Sequence, residues 1–161
     1  MGQKNLKIGY FTPFFAPAWR FGGVVRTSYE LGKRLAKRGH QVNIYTTDVS
    51  NNPKQRLSEQ RAKIDGMNVF YFKNFSNLFA SKHKVFIPIN IRNKLRDEIE
   101  RLDIVHLRDL YTILTYWLYQ RIKKIKKPFF ISTGGILSPV SQNRFKTIKQ
   151  VINYTLLMKV L

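Results

Sequence analysis

A glycine pair, Gly22-Gly23, stands immediately ahead of a helix-like stretch in this 161-residue chain. Glycines in that position let backbone N–H groups approach an anion at the positive end of a helix dipole. Arg26, one turn further on, could reach the same anion. The pair does not complete a G-x-G-x-x-G fingerprint, and the nearest strand-like run ends eleven residues earlier, so a flexible turn is the competing reading. His106 lies at the end of the short apolar run Asp103 to Leu107. A histidine at a strand end can exchange a proton or hydrogen-bond a sugar hydroxyl, although many serve structure alone. Arg108 and Asp109 follow it, placed either to pair with each other or to hold an acceptor. Thr133-Gly134-Gly135 resembles a second backbone nest for an anion, against the alternative of an ordinary strand-to-loop turn.

Other chemistries lack their residues. No two carboxylates are spaced for hydrolysis, and neither His-x-x-x-His nor H-E-x-x-H is present. There is no G-x-S-x-G elbow and no P-loop. Cysteine is absent, which removes disulfide frameworks and cysteine-ligated zinc and fits a reducing compartment. What remains is a cleft suited to anions and polyols, with no metal and no cofactor expected.

The elements that must position these residues follow from periodicity. Leu6 to Phe11 reads as a buried first strand ended by Thr12-Pro13. Val24, Val25, Ser28, Leu31, Leu35 and Ala36 recur at helical spacing, with cations on the other face, and Gly39 ends that helix. Gln41 to Thr46 alternates as the next strand, completing a βαβ unit. Thr47 to Lys63 reads as a polar loop, Met67 to Phe72 as a strand, and Asn74 to Lys84 as irregular. A helix is expected over Ile91 to Leu102, a strand over Asp103 to Leu107, and a helix from Leu110 to Ile122. A strand over Phe129 to Ser132 follows, then a last helix from about Gln142 that meets no stop signal before Leu161. The pattern predicts one α/β domain over residues 1–161: a Rossmann-like, doubly wound parallel sheet. Ligands of such sheets bind beyond the carboxyl ends of the strands, where Thr12–Gly23, His106–Asp109 and Ser132–Gly135 would meet.

Charge is the outstanding bulk property. Twenty-nine Lys and Arg against nine Asp and Glu leave +20 at pH 7, a surface that attracts polyanions. Arg121, Lys123, Lys124, Lys126 and Lys127 surround two isoleucines. With Lys82, Lys84, Arg92, Lys94 and Arg96 they could form a face for an anionic membrane, the alternative being a solvated helix end. No run reaches the roughly 18 apolar residues of a spanning helix, and Met1 to Lys7 lacks the apolar core of a signal peptide. The expected address is the cytoplasm, with the cytosolic membrane face as the second possibility. RNA-recognition aromatic motifs and basic-helix motifs are missing, so no specific nucleic acid is expected.

Taken together, Lys7-Ile8-Gly9-Tyr10-Phe11-Thr12-Pro13, Gly22-Gly23-Val24-Val25-Arg26 and the stretch Glu30 to Val42 (ELGKRLAKRGHQV) resemble the opening of glycosyltransferase family 4. Asp103-Ile104-Val105-His106 resembles that family's "DvVHxH" strand. Phe129 to Gly135 resembles its "vvtxHg" strand and loop, with Leu137-Ser138-Pro139 similar to a "gxLsp" variant. The resemblance spans about residues 6 to 160. It implies the N-terminal, acceptor-side half of a GT-B enzyme that transfers a sugar, a hexose by expectation, from a nucleotide donor with retention and without a metal. The partners implied are a nucleotide sugar, a glycan or lipid-linked acceptor, and a C-terminal domain that holds the nucleotide and is expected to be absent from this chain, leaving it inactive alone.

Carried onto this sequence, Gly22 and Gly23 would face the donor diphosphate, and Arg26 would support that loop. His106 would line the acceptor cleft, with Arg108, Asp109, Thr133, Gly134 and Gly135 as its other candidates. Two family histidines are replaced, one by Arg108 and one around Thr133-Gly134-Gly135, so no catalytic residue is assigned. The alternatives are a basic module for nucleic acid or anionic membrane, and a GT-B-fold sugar-nucleotide epimerase or phosphorylase.

Overall fold

The structure is a computed structural model that describes residues 4–110 and 112–134. Its strands and helices, in chain order, are β1 (Lys7–Phe11), α1 (Gly23–Lys37), β2 (Gln41–Thr47), β3 (Arg61–Ile64), β4 (Met67–Phe72), α2 (Asn77–His83), α3 (Ile91–Arg101), β5 (Ile104–Arg108), α4 (Ile113–Lys124) and β6 (Phe129–Ser132). The sheet order is β3-β4-β2-β1-β5-β6. All neighbours are parallel except β3, which pairs antiparallel with β4. From β1 the chain works outward through β2 to β4, then returns to β5 on the other flank of β1. Strand order therefore reverses between β1 and β5, which opens a crevice at their carboxyl ends.

Alternation along the strands supplies both covered faces. Tyr10, Val42, Ile44 and Val69 pack on one side with Leu35 and Ala36 of α1. Phe11, Tyr45 and Leu107 pack on the other with Leu95 and Ile99 of α3 and Leu118 and Ile122 of α4. Each fully buried Leu or Ile contributes about 1.5–3 kcal/mol, and a parallel sheet needs both layers because neither face is polar. This is the expected doubly wound α/β fold.

Helix α1 departs from its expected stripe. Its buried residues are Val25, Ser28 and Gly32, whereas Leu31 is exposed. Gly32 lies so close to the sheet that a Cβ there would stand 2.5 Å from the Met67 sulfur. The face turned inward is thus set by where the backbone can approach β4, and Leu31 is rotated off it.

Two segments carry structure that polarity concealed. The loop expected over Thr47 to Lys63 ends in strand β3, joined to β4 by Asp65-Gly66, both at positive φ (46° and 83°). An Asp-Gly pair is a strong hairpin signal, and here it makes a two-residue turn of the primed kind. The Asp65 carboxylate also accepts from the Tyr29 hydroxyl and pairs with Lys33 at 3.1 Å. The stretch Asn74 to Lys84, expected to be irregular, contains α2. Ser76 caps it by accepting from the Phe79 N–H at 3.2 Å. Its anchor is Asp48, whose carboxylate takes the Asn74 N–H (2.9 Å) and the Arg56 guanidinium (2.8 Å).

The expected last helix from Gln142, the Leu137-Ser138-Pro139 loop and Gly135 lie outside the described residues.

Candidate active-site cleft

The crevice between β1 and β5 is lined by Thr12 and Pro13 after β1, Arg108 at the end of β5, and Thr112 and Thr115 at the start of α4. Phe86 and Pro88 close it from the segment that follows α2. Local chemistry explains why the loops stay in place. The Thr47 hydroxyl donates to the Pro13 carbonyl at 2.6 Å, and the Thr12 hydroxyl to the Phe14 carbonyl at 3.0 Å. Phe14 stacks on Phe21 at 4.4 Å, and Phe21 meets Phe86 edge-on at 5.6 Å, which ties the loop before α1 to the segment after α2. Thr112 caps α4 by accepting from the Thr115 N–H at 3.0 Å, and the Thr115 hydroxyl donates to the Asp109 carbonyl at 2.7 Å.

Gly22 and Gly23 form the amino end of α1. Gly22 has φ of 72°, and the helix end has neither a side-chain cap nor an acidic residue in its first turn. A Cβ at either glycine would meet nothing within 4 Å, so there is open room beside both among the described residues. The first N–H groups of a helix carry partial positive charge. Here the Gly22 N–H donates to the Trp19 carbonyl (2.9 Å) and the Val25 N–H to the Gly22 carbonyl (3.1 Å), which leaves those of Gly23 and Val24. Arg26 is exposed one turn on. Thr27, not anticipated from the sequence, is the link to the rest of the cleft. Its hydroxyl lies 2.9 Å from the Gly23 carbonyl and accepts from Arg108 Nη2 at 3.4 Å.

Arg108 is the side chain that draws the expected segments together. It leaves the end of β5, reaches Thr27 in the second turn of α1, and lies against Gly134, where a Cβ would stand 3.1 Å from Nη2. Gly134 takes φ of 57°, the left-handed region that favours glycine, with the guanidinium against it. Arg108 forms no ion pair with Asp109. Asp109 sits at φ 76°, an uncommon conformation for a residue with a side chain, and its N–H donates to the Ser132 carbonyl at 3.1 Å. Burial raises the Asp109 carboxyl above its ordinary pKa, an effect that Arg108 partly offsets.

His106 is not at a strand end. It is the middle residue of β5 and 1% exposed, held edge-on against Tyr10 (4.2 Å) and stacked on Phe130 (4.0 Å). Nε2 lies 2.5 Å from the Ser132 hydroxyl, and Nδ1 is buried without a partner. Burial first and the Arg108 charge second push its pKa down to about 4, so the ring is neutral near pH 7. The Tyr10 hydroxyl in turn donates to Ser28 of α1 at 2.8 Å. His106 therefore sits under the cleft, joining β1, β5 and β6, while Arg108, Asp109, Thr133 and Gly134 border it above. Gly135 is outside the described residues.

The basic residues form two groups, not one. Helices α3 and α4 both run from the carboxyl edge of the sheet back to its amino edge. Lys123, Lys124 and Lys126 are exposed at the far end of α4, about 18 Å from its start at 1.5 Å per residue. Arg121 there is paired with Glu100, and Lys127 donates to the Glu100 carbonyl at 3.0 Å. Lys82, Lys84, Arg92 and Lys94 lie at the cleft edge instead, on α2, just after it, and at the start of α3.

Among the described residues no three His, Cys, Asp or Glu side chains gather to hold a metal ion, and no helix is long and apolar enough to cross a membrane. Comparison with known families finds that the model of Glycosyltransferase Family 4 matches residues 21–149, from the loop before α1 through β6 and beyond. No curated protein matches the chain.

Proposed function

The chain belongs to glycosyltransferase family 4, and from that footing we propose that it supplies the acceptor side of a retaining transferase, which moves a sugar from a nucleotide donor to a glycan or lipid-linked acceptor. The observation that carries the reading is the amino end of α1, without a side-chain cap or an acid in its first turn, with the Arg108 guanidinium held at Thr27 one turn on. Helix N–H groups with a guanidinium one turn away suit a diphosphate. When the bond from the anomeric carbon to the leaving diphosphate breaks, negative charge grows on the phosphate oxygens. Donors already aimed at that place lower the barrier without reorganising. In this reading Gly22 and Gly23 face the diphosphate, and Arg26 and Arg108 share its charge.

The acceptor occupies the border formed by Asp109, Thr133 and Gly134. His106 acts from beneath as a positioning residue, fixing Ser132 and the turn that follows it. No general base is assigned, because the neutral His106 ring is buried under the cleft. The nucleotide itself belongs to a second domain of the GT-B architecture, so residues 1–161 alone are expected to transfer nothing and to bind nucleotides weakly.

The test is to supply the enzyme carrying both domains with a series of nucleotide sugars and measure release of the nucleoside diphosphate and labelling of acceptor. Transfer is expected, with retained anomeric configuration. Failure to transfer or hydrolyse any nucleotide sugar, or clear turnover by residues 1–161 alone, would overturn the proposal.

A further inference from the structure

Exposed large apolar side chains are concentrated in one stretch of this protein. Phe75 is 67% exposed, Leu78 57% and Phe79 45%, and Val85 and Ile89 follow close behind. Half of the exposed large hydrophobics among the described residues thus fall within Phe75 to Ile89. Their exposure is not a loose end, because α2 is pinned from its inner side. Ala80 is buried in the cluster of Phe14, Val25 and Phe86. Asn77 donates to the Asp48 carbonyl at 3.3 Å, and Arg20 donates to the Ser81 hydroxyl at 2.6 Å. The helix is fixed with Phe75, Leu78 and Phe79 facing outward.

Charge along the stretch itself has one sign; the carboxylates near it in space are Asp48, buried and paired with Arg56, and Glu59, beside Lys73 and Ile89. No Asp or Glu occurs between Asp65 and Asp97, while Lys73, Lys82, Lys84, Arg92, Lys94 and Arg96 all do. Lys84 lies over the Phe21 ring and Arg92 over Trp117, so these cations flank the apolar group from the body of the domain. An apolar wedge ringed by cations is the arrangement that enters the boundary between headgroups and acyl chains of an anionic bilayer. A polyanion without an apolar phase would use the cations and leave the phenyl rings in water. A second copy of the chain would bring another +20 against the first.

We propose that the α2 corner docks on an anionic lipid bilayer, with Phe75, Leu78 and Phe79 inserted and Lys82, Lys84 and Arg92 on the headgroups. Phe86 and Pro88, which follow α2, line the cleft, so docking sets the cleft mouth at the bilayer surface. That last consequence rests on the transferase reading; the docking itself does not.

The chain has no cysteine, so a single introduced one can be labelled without a background. The 161-residue chain is sedimented with phosphatidylcholine vesicles with and without phosphatidylglycerol, and single-cysteine variants Leu78→Cys, Phe79→Cys and Lys124→Cys carry a polarity-sensitive fluorophore. Binding is expected only with phosphatidylglycerol, with a blue shift at positions 78 and 79 and none at 124. Serine at the three inserted positions, Phe75→Ser with Leu78→Ser and Phe79→Ser, should weaken partition about tenfold or more. Lys82→Glu with Lys84→Glu should do so by a similar factor. Circular dichroism and thermal midpoint confirm that each variant is folded.

Several results overturn the proposal: no partition onto anionic vesicles, a shift at 124 instead of 78 and 79, or undiminished binding of the folded triple-serine variant. A shift at 78 and 79 that grows with protein concentration without vesicles would assign the corner to self-association and overturn it too. Because vesicle binding needs no sugar donor, its failure is distinguishable from failure of the transferase reading.

Discussion

The two ends of helix α1 are both marked by glycine and are finished in opposite ways. At the carboxyl end Gly39 takes φ of 87°, its N–H bonds the Ala36 carbonyl (3.0 Å), and the His40 N–H bonds the Leu35 carbonyl (3.2 Å). This is a Schellman closure, with Arg34 and Lys37 in the last turn where the dipole is negative. At the amino end Gly22 also has positive φ, but no side chain caps the helix and no acid offsets its dipole. Two arginines, Arg26 and Arg108, add charge of the same sign there. One end satisfies its backbone internally; at the other the Gly22 N–H goes to the Trp19 carbonyl and the Val25 N–H to the Gly22 carbonyl, and those of Gly23 and Val24 have no hydrogen bond among the described residues. Glycine as a residue type does not distinguish them, whereas the atoms around it do.

The contrast can be broken most strongly from beneath the open end. His106 has a folded pKa of about 4 against about 6.5 for a free histidine. Between those values the unfolded chain binds more protons. Stability from the neutral ring is therefore fully present above about pH 6.5 and lost as pH falls toward 4, by up to about 3 kcal/mol. Urea unfolding at about pH 7 and about pH 4.5 should show this loss in the native chain and a smaller one in His106→Met. An equal loss in both would remove His106 as the cause. The raised Asp109 carboxyl works in the opposite direction and is common to both proteins.

Next in size is Arg108. In the two-domain enzyme Arg108→Ala should lower kcat/KM for the sugar donor by about a hundredfold, as loss of one charge-stabilising donor does. Arg108→Lys should recover only part, lacking the planar fork that spans Thr27 and Gly134. Wild-type kinetics in Arg108→Ala would detach the open end of α1 from the donor.

The closed end makes a different demand. Gly39→Val forces a branched residue into the left-handed region and should cost about 1–2 kcal/mol of stability, measured by urea denaturation, with transfer per folded molecule unchanged. The smallest effect sharpens the contrast most. Gly23→Ala should raise stability by about 0.5–1 kcal/mol, since Gly23 is helical and a methyl there meets nothing. The same methyl enters the unfilled space and should lower transfer. A stabilised enzyme with undiminished transfer would show that the space is not used.

Much of this was legible in the residues. The strands β1, β2, β4, β5 and β6 follow from runs of β-formers, α1 and α3 from 3.6-residue spacing, and Gly39 from the cations before it. Asp65-Gly66 carried a readable hairpin signal that the surrounding polarity outweighed. Helix α2 was hidden for a physical reason: its apolar residues face outward, so it has no core stripe to betray it. Thr27 was hidden because nothing local distinguishes it from any hydroxyl on an exposed helix face; its meaning comes from a side chain 81 residues away. His106 was placed one step too near the edge because burial of a strand's middle residue depends on Tyr10 and Phe130, which are remote in sequence.

By itself the sequence determined the α/β alternation, the glycine-marked helix ends, the excess of positive charge and the resemblance to a transferase family, because each is a local pattern of propensity, spacing or residue type. Tertiary structure decided which glycine end stays open, that Arg108 bridges α1 and the turn after β6 instead of pairing with Asp109, that His106 is neutral and enclosed, and that the cations divide between opposite edges of the sheet. Those outcomes depend on the crossover that sets β5 beside β1. It brings together charges and rings whose mutual distances no local pattern encodes.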